Sequence, residues 1–147
     1  MALSDYTENL ILDTLFGKND TYANGSSALD KNTLYIALYT SAPTDAGGGN
    51  EVSTSGTGYS RLAVGNNAGE SPAKWASAVG GVKKNAAELT VGGSGASADW
   101  GTITHVGILD NASGGNLIAY GPLTSSKTVN SGDIFKFAVN DLSITLD

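Results

Sequence analysis

The order of apolar and polar positions divides this chain into one amphipathic helix followed by a series of short strands. Leu3, Tyr6, Leu10, Ile11 and Leu15 recur at the spacing of one helix face and predict a helix over residues 4–16. Ser4 or Asp5 can cap its first turn. Asp5 with Glu8 three positions on makes a capping-box pattern, and Gly17 offers a left-handed stop. Residues 18–32 are polar, with Asn24-Gly25 as a turn signal. Then Thr33-Leu34-Tyr35-Ile36-Ala37-Leu38-Tyr39-Thr40 alternates with apolar or aromatic side chains on both faces, which predicts a strand covered on both sides.

After Pro43 the period is lost. Residues 41–58 are a Gly/Ser/Thr-rich loop, and ordering it costs about 1–2 kcal/mol per residue in backbone entropy, so mobility is expected unless something holds it. Residues 59–64 and 86–91 read as strands, whereas 65–85 have no clear period. Residues 100–110 and 117–123 are β-branched and apolar runs separated by Asn111-Ala112-Ser113-Gly114-Gly115-Asn116, a hairpin pattern. Phe135, Phe137 and Val139 alternate after the turn at Asn130-Ser131-Gly132-Asp133. Asn140-Asp141 marks another turn, and Leu142, Ile144 and Leu146 point inward from the last strand. The expected fold is mainly β: an antiparallel β-sandwich or barrel with one N-terminal amphipathic helix. All 147 residues are read as a single domain, with a helix over 1–17 and a β domain over 33–147.

Charge narrows the partners. The net charge is −6, and the eight Lys and Arg residues are scattered rather than clustered. Nucleic acids and anionic membranes both need concentrated positive charge, so neither is an expected partner. The absence of cysteine excludes disulfides, thiol catalysis and cysteine-ligated zinc. No apolar run approaches the ~18 residues of a membrane span, and the N-terminus has no signal-peptide pattern. Synthesis in a cytoplasm, without secretion by the usual route, is expected.

The candidate chemistry is thin. His105 is the sole histidine, without a recognisable nucleophile or orienting acid, and reads as a hydrogen-bonded structural residue. Asp99, Asp110, Asp133 and Glu88 lie near strand ends, where carboxylates bond local backbone groups; nothing singles out a pair for glycoside hydrolysis. The 110–115 turn lacks the ligand alternation of a calcium loop, and the glycine runs lead into no phosphate-loop Gly-Lys-Ser/Thr. The expectation is a protein that is not an enzyme, with no catalytic residues, metal or cofactor.

Several stretches resemble small tailed-bacteriophage virion proteins. They are Leu34-Tyr35-Ile36-Ala37-Leu38-Tyr39-Thr40-Ser41-Ala42-Pro43-Thr44-Asp45-Ala46-Gly47, then Glu51-Val52, then Gly58-Tyr59-Ser60-Arg61. Further on are Trp100-Gly101-Thr102-Ile103-Thr104-His105-Val106-Gly107-Ile108, then Gly114-Gly115-Asn116-Leu117, then Thr128-Val129-Asn130-Ser131-Gly132-Asp133. Proteins of this kind are often labelled tail-fibre proteins, a label that says little about position in the particle. The resemblance implies a non-enzymatic virion protein. Its compactness, without heptads or fibrous repeats, favours capsid decoration, with the major capsid protein as partner. The alternative is a tail or tail-fibre-associated protein involved in host attachment, with tail proteins as partners. A homo-oligomer is implied, a trimer being the arrangement common among decoration proteins. Interface candidates are Leu3, Tyr6, Leu10, Ile11 and Leu15 on the helix, Pro43 and Asp45 in the loop, and Tyr59, Arg61 and Trp75 beyond it.

Overall fold

The computed structural model of the chain describes residues 4, 11–13, 15–16, 33–64 and 73–146. It is mainly β and antiparallel, as the periodicity predicts. In chain order the strands are β1 (Tyr35–Ser41), β2 (Asn50–Glu51), β3 (Leu62–Ala63), β4 (Val82–Lys84), β5 (Leu89–Val91), β6 (Gly101–Leu109), β7 (Leu117–Val129), β8 (Phe135–Phe137) and β9 (Ser143–Thr145). They fall into one five-stranded sheet, ordered β2-β1-β6-β7 with β3 also on β1, and two two-stranded ladders, β4-β9 and β5-β8. The chain divides into two compact units. One comprises Met1–Thr33, Val64–Leu89 and Phe137–Asp147; the other comprises Leu34–Ala63 and Thr90–Lys136.

The second unit is built on β1. Ile36, Ala37, Leu38 and Tyr39 are all buried, because β1 lies inside the sheet with β6 on one edge and β2 and β3 sharing the other. That shared edge is short of partners: β2 ends opposite Tyr39 and β3 begins opposite Ile36. The Tyr59 hydroxyl fills the gap by accepting the Leu38 N–H at 3.0 Å, which satisfies a backbone donor that burial would otherwise strand. Two-residue strands cannot carry a ladder round to β7. Among the described residues the sheet therefore stays open, and the barrel alternative is not realised.

The hairpin β6-β7 runs as expected from 101 to 121, but β7 continues past Pro122 to Val129. Its register explains why this was illegible. Ile103 pairs with Lys127 and His105 with Pro122, so residues 123–126 bulge out of the ladder. Trp100 is buried, stacks edge-on to Tyr59 with ring centroids 5.3 Å apart, and donates its indole N–H to the Thr57 carbonyl at 2.9 Å. Gly92 makes room for it: a Cβ there would meet the indole ring at 2.5 Å.

In the first unit, residues 11–13 and 15 are helical, and the Phe16 N–H donates to the Leu12 carbonyl at 2.9 Å. The buried face differs from the predicted stripe by one position. Leu12 and Phe16 are buried, whereas Ile11 is 39% exposed and Leu15 half-buried. Leu3, Tyr6, Leu10, the capping residues and Gly17 lie outside the described residues. What turns the helix is Asp13, whose carboxylate accepts the Lys83 ammonium at 2.7 Å and the Ala78 N–H at 2.8 Å, all within the interior. Beside this pair, fully buried Asn85 donates to the carbonyls of Ala87 and Ala138 and accepts the Leu142 N–H. It thereby ties the 138–142 turn, where Asn140 adopts φ 69°, to β4.

Candidate functional site

The loop 41–58 carries more structure than its composition suggests. The Thr44 and Gly47 backbones exchange hydrogen bonds of 3.0 and 2.8 Å. Residues 50–51 pair with β1, and the Val52 N–H donates to the Leu38 carbonyl. Between the two, Gly47, Gly48 and Gly49 take φ of 87°, 80° and 77°, a left-handed run that side chains strongly disfavour. This route swings residues 45–49 over one face of the sheet and leaves a cleft of about 370 Å³ beneath them. Tyr39, Leu109 and Leu117 line it from the sheet; Glu51, Arg61 and the 114–116 backbone close its sides.

Arg61 organises those sides. Its Nε and Nη2 donate to the two oxygens of Glu51 at 2.8 and 2.7 Å, and its Nη1 donates to the carbonyls of Asn111 and Gly114, both at 2.7 Å. One guanidinium thus clasps the β2 edge to the hairpin turn, a fork geometry that lysine cannot reproduce. The Tyr59 hydroxyl donates to the same Glu51 carboxylate at 3.0 Å. Burial, assisted by Glu51, pushes the Tyr59 phenol well above the usual tyrosine range, and burial likewise raises Tyr39. Hydrogen bonding to Glu51 raises Arg61 further. The turn is braced again by Asp110, whose oxygens accept the Asn116 side-chain and backbone N–H groups at 2.7 Å and whose pKa is lowered by them. At the cleft rim the exposed Asp45 accepts the Tyr120 hydroxyl at 2.9 Å, which raises the Tyr120 pKa.

Of the interface candidates, Asp45 and Arg61 come together around this cleft. Pro43 is buried behind it, against the backbone of Gly49. Tyr59 and Trp75 are 3% and 2% exposed and pack inside their respective units, so neither offers the surface expected of it. Sequence reasoning missed Glu51 as a partner of Arg61, although both stand in the quoted motifs. It also missed Tyr120, which alternation placed in a strand without showing that it leaves that strand 42% exposed. His105 Nδ1 lies 2.9 Å from the Thr104 hydroxyl. Asp99, Asp133 and Asp141 accept the backbone N–H groups of Ser131, Asn130 and Ala138, the local turn chemistry that carboxylates at strand ends favour.

Fold and cleft together define a small antiparallel β protein in which charged and polar clasps fix the loops around an open recess. No curated protein matches the chain. It belongs to the family described as Podophage GP4 fiber I protein gp80, which matches residues 2–145. The chain is therefore a structural protein of a tailed-phage virion. The family description favours the fibre alternative over capsid decoration.

Proposed function

We propose that this protein is a tail-fibre-associated component of the virion, acting by binding rather than by catalysis, and that it assembles with tail proteins as a homo-oligomer. The observation that carries the reading is the family match across almost the whole chain, to a protein described as a fibre protein. The site chemistry supports the non-enzymatic part. Arg61 and Glu51, the most concentrated charges of the cleft, are engaged with one another and with turn carbonyls, and a group so engaged is a positioning device rather than a poised acid or base. Synthesis takes place in the host cytoplasm, and incorporation follows during assembly. Among the described residues no helix is long and apolar enough to cross a membrane.

Copy number and location test the reading together. Quantitative mass spectrometry of purified virions should give a few to tens of copies per particle, and antibody-gold labelling should decorate the tail. Hundreds of copies with label over the head would overturn it in favour of capsid decoration.

A further inference from the structure

We infer that the outer edge of β7, from Leu117 to Leu123, is an interface between two copies of this chain, whose β7 strands pair antiparallel about a two-fold axis at Tyr120. β7 ends the large sheet: β6 lies on one side and, among the described residues, no strand lies on the other. Beyond its ladder with β6, the main chain of 117–123 makes no hydrogen bond to a described residue. An open edge of this kind is a template for another strand, and proteins blunt it with charge, proline or a bulge. Apart from a one-residue shift at Ile118, those devices gather at the far end, as Pro122, the 123–126 bulge and Lys127. The segment Leu117-Ile118-Ala119-Tyr120-Gly121-Pro122-Leu123 carries no charge. Tyr120 and Pro122 are exposed and the other five residues are half-buried.

The ladder sets which main-chain groups face outward. The N–H and C=O of Leu38 point away from β6, to the Tyr59 hydroxyl and the Val52 N–H. Leu38 stands opposite Val106, so the Val106 main chain faces β7, where Gly121 is its partner. Alternation then turns Gly121 and Ala119 toward β6 and turns Tyr120 and Pro122 to solvent. The Asp110 N–H, which donates to the Asn116 carbonyl, keeps the same phase. Proline in a sheet stands with its nitrogen outward, as Pro122 does here. Tyr120 therefore aims both an N–H and a C=O away from the sheet. Two features select a second copy as the occupant. About an axis at Tyr120, each N–H donates to the other copy's C=O, and the same uncharged segment lies on both sides. The segment is also flanked by opposite charges, with Asp110 in the turn before it and Lys127 after it. Antiparallel pairing brings the cationic end of one strand to the acidic end of the other, and the order β2-β1-β6-β7 continues through the axis into its mirror sequence.

This deepens the homo-oligomer reading and rests on it. Sedimentation velocity of the full chain and single-cysteine cross-linking test it. The chain has no cysteine, so Tyr120→Cys reports on the axis alone. A hydrogen-bonded antiparallel pair sets its Cα atoms about 5.5 Å apart, within the range of about 4.4–6.8 Å that a disulfide spans. Wild type should sediment as a dimer. Tyr120→Cys should form a disulfide-linked dimer under mild oxidation. Val79→Cys, at a 75% exposed position in the other unit, should not. Tyr120→Lys should dimerise about tenfold more weakly, because it sets like charges directly opposite and removes the paired rings. A monomer, a trimer, a dimer indifferent to Tyr120→Lys, or cross-linking no faster at position 120 than at 79 would each overturn the inference. A monomer would remove the homo-oligomer reading too, whereas the other three remove only this edge. Tail labelling of virions reports location in every case.

Discussion

Removing the Asp13 carboxylate should destabilise the protein far more than a single ion pair on a surface would. Asp13 and Lys83 are 6% and 0% exposed, and the ammonium and carboxylate are 2.7 Å apart. Asp13→Ala deletes two bonds at once, the ion pair and the acceptor for the Ala78 N–H. It leaves the lysine charge inside, with the Ala76 carbonyl at 3.0 Å. Breaking one side of a buried pair costs about 3–5 kcal/mol, against about 0–1 kcal/mol for an exposed one. For a chain of this size each kcal/mol lowers the melting temperature by roughly 3 °C, so a fall of about 10 °C is expected. The double variant Asp13→Leu with Lys83→Met removes both charges and should recover most of the loss, because an apolar replacement of a buried pair is often neutral or stabilising. About 1 kcal/mol should persist for the unsatisfied Ala78 amide. Thermal melts by circular dichroism, with urea titrations of all three proteins, give the numbers. A single variant within about 1 kcal/mol of wild type, or a double variant no better than the single, would refute the argument.

Two further outcomes follow from the cleft. Arg61→Lys should cost about 1–3 kcal/mol, since lysine loses the fork to Glu51 and cannot hold both turn carbonyls; faster hydrogen exchange at residues 111–116 is the readout, and unchanged protection there would count against the clasp. Tyr59 has a folded pKa raised above its ordinary value of 10.0, so its contribution to stability is complete below pH 10 and is lost as pH rises, when the unfolded chain ionises first. Ultraviolet titration should show this phenolate forming only together with alkaline unfolding, and a separate earlier phenolate step for Tyr59 would contradict its burial.

The strands legible in the sequence are those whose period the core enforces. β1 and the β6-β7 hairpin alternate over enough residues to declare their faces, and Leu142, Ile144 and Leu146 do so at the end of the chain. The far half of β7 was not legible, because the apolar run stops at Leu123 and the polar residues 124–128 show no strand alternation; only the bulge at 123–126 reconciles them with a ladder. The site was legible in its parts and not in its assembly. Arg61 and Asp45 were found, but Arg61 meets Glu51 through a loop closure and reaches Asn111 across 50 positions. No local pattern encodes such a meeting. Asp13 and Lys83, 70 positions apart, are a further case: each reads as a surface charge until the fold buries both. Tyr59 and Trp75 misled in the opposite direction, since aromatic residues in weakly patterned segments look available when they are packing against neighbours that the period does not reveal.

The pairing of β4 with β9 imposes a timetable on synthesis. Val82 leaves the ribosome long before its partner Thr145, whereas β1, β2, β3, β6 and β7 are complete by Val129. The large sheet can therefore form co-translationally while Lys83 and Asn85 still wait for the residues that will enclose them. Until residues 138–145 follow, β4 lacks its ladder partner and Asn85 lacks the Ala138 and Leu142 groups it bonds.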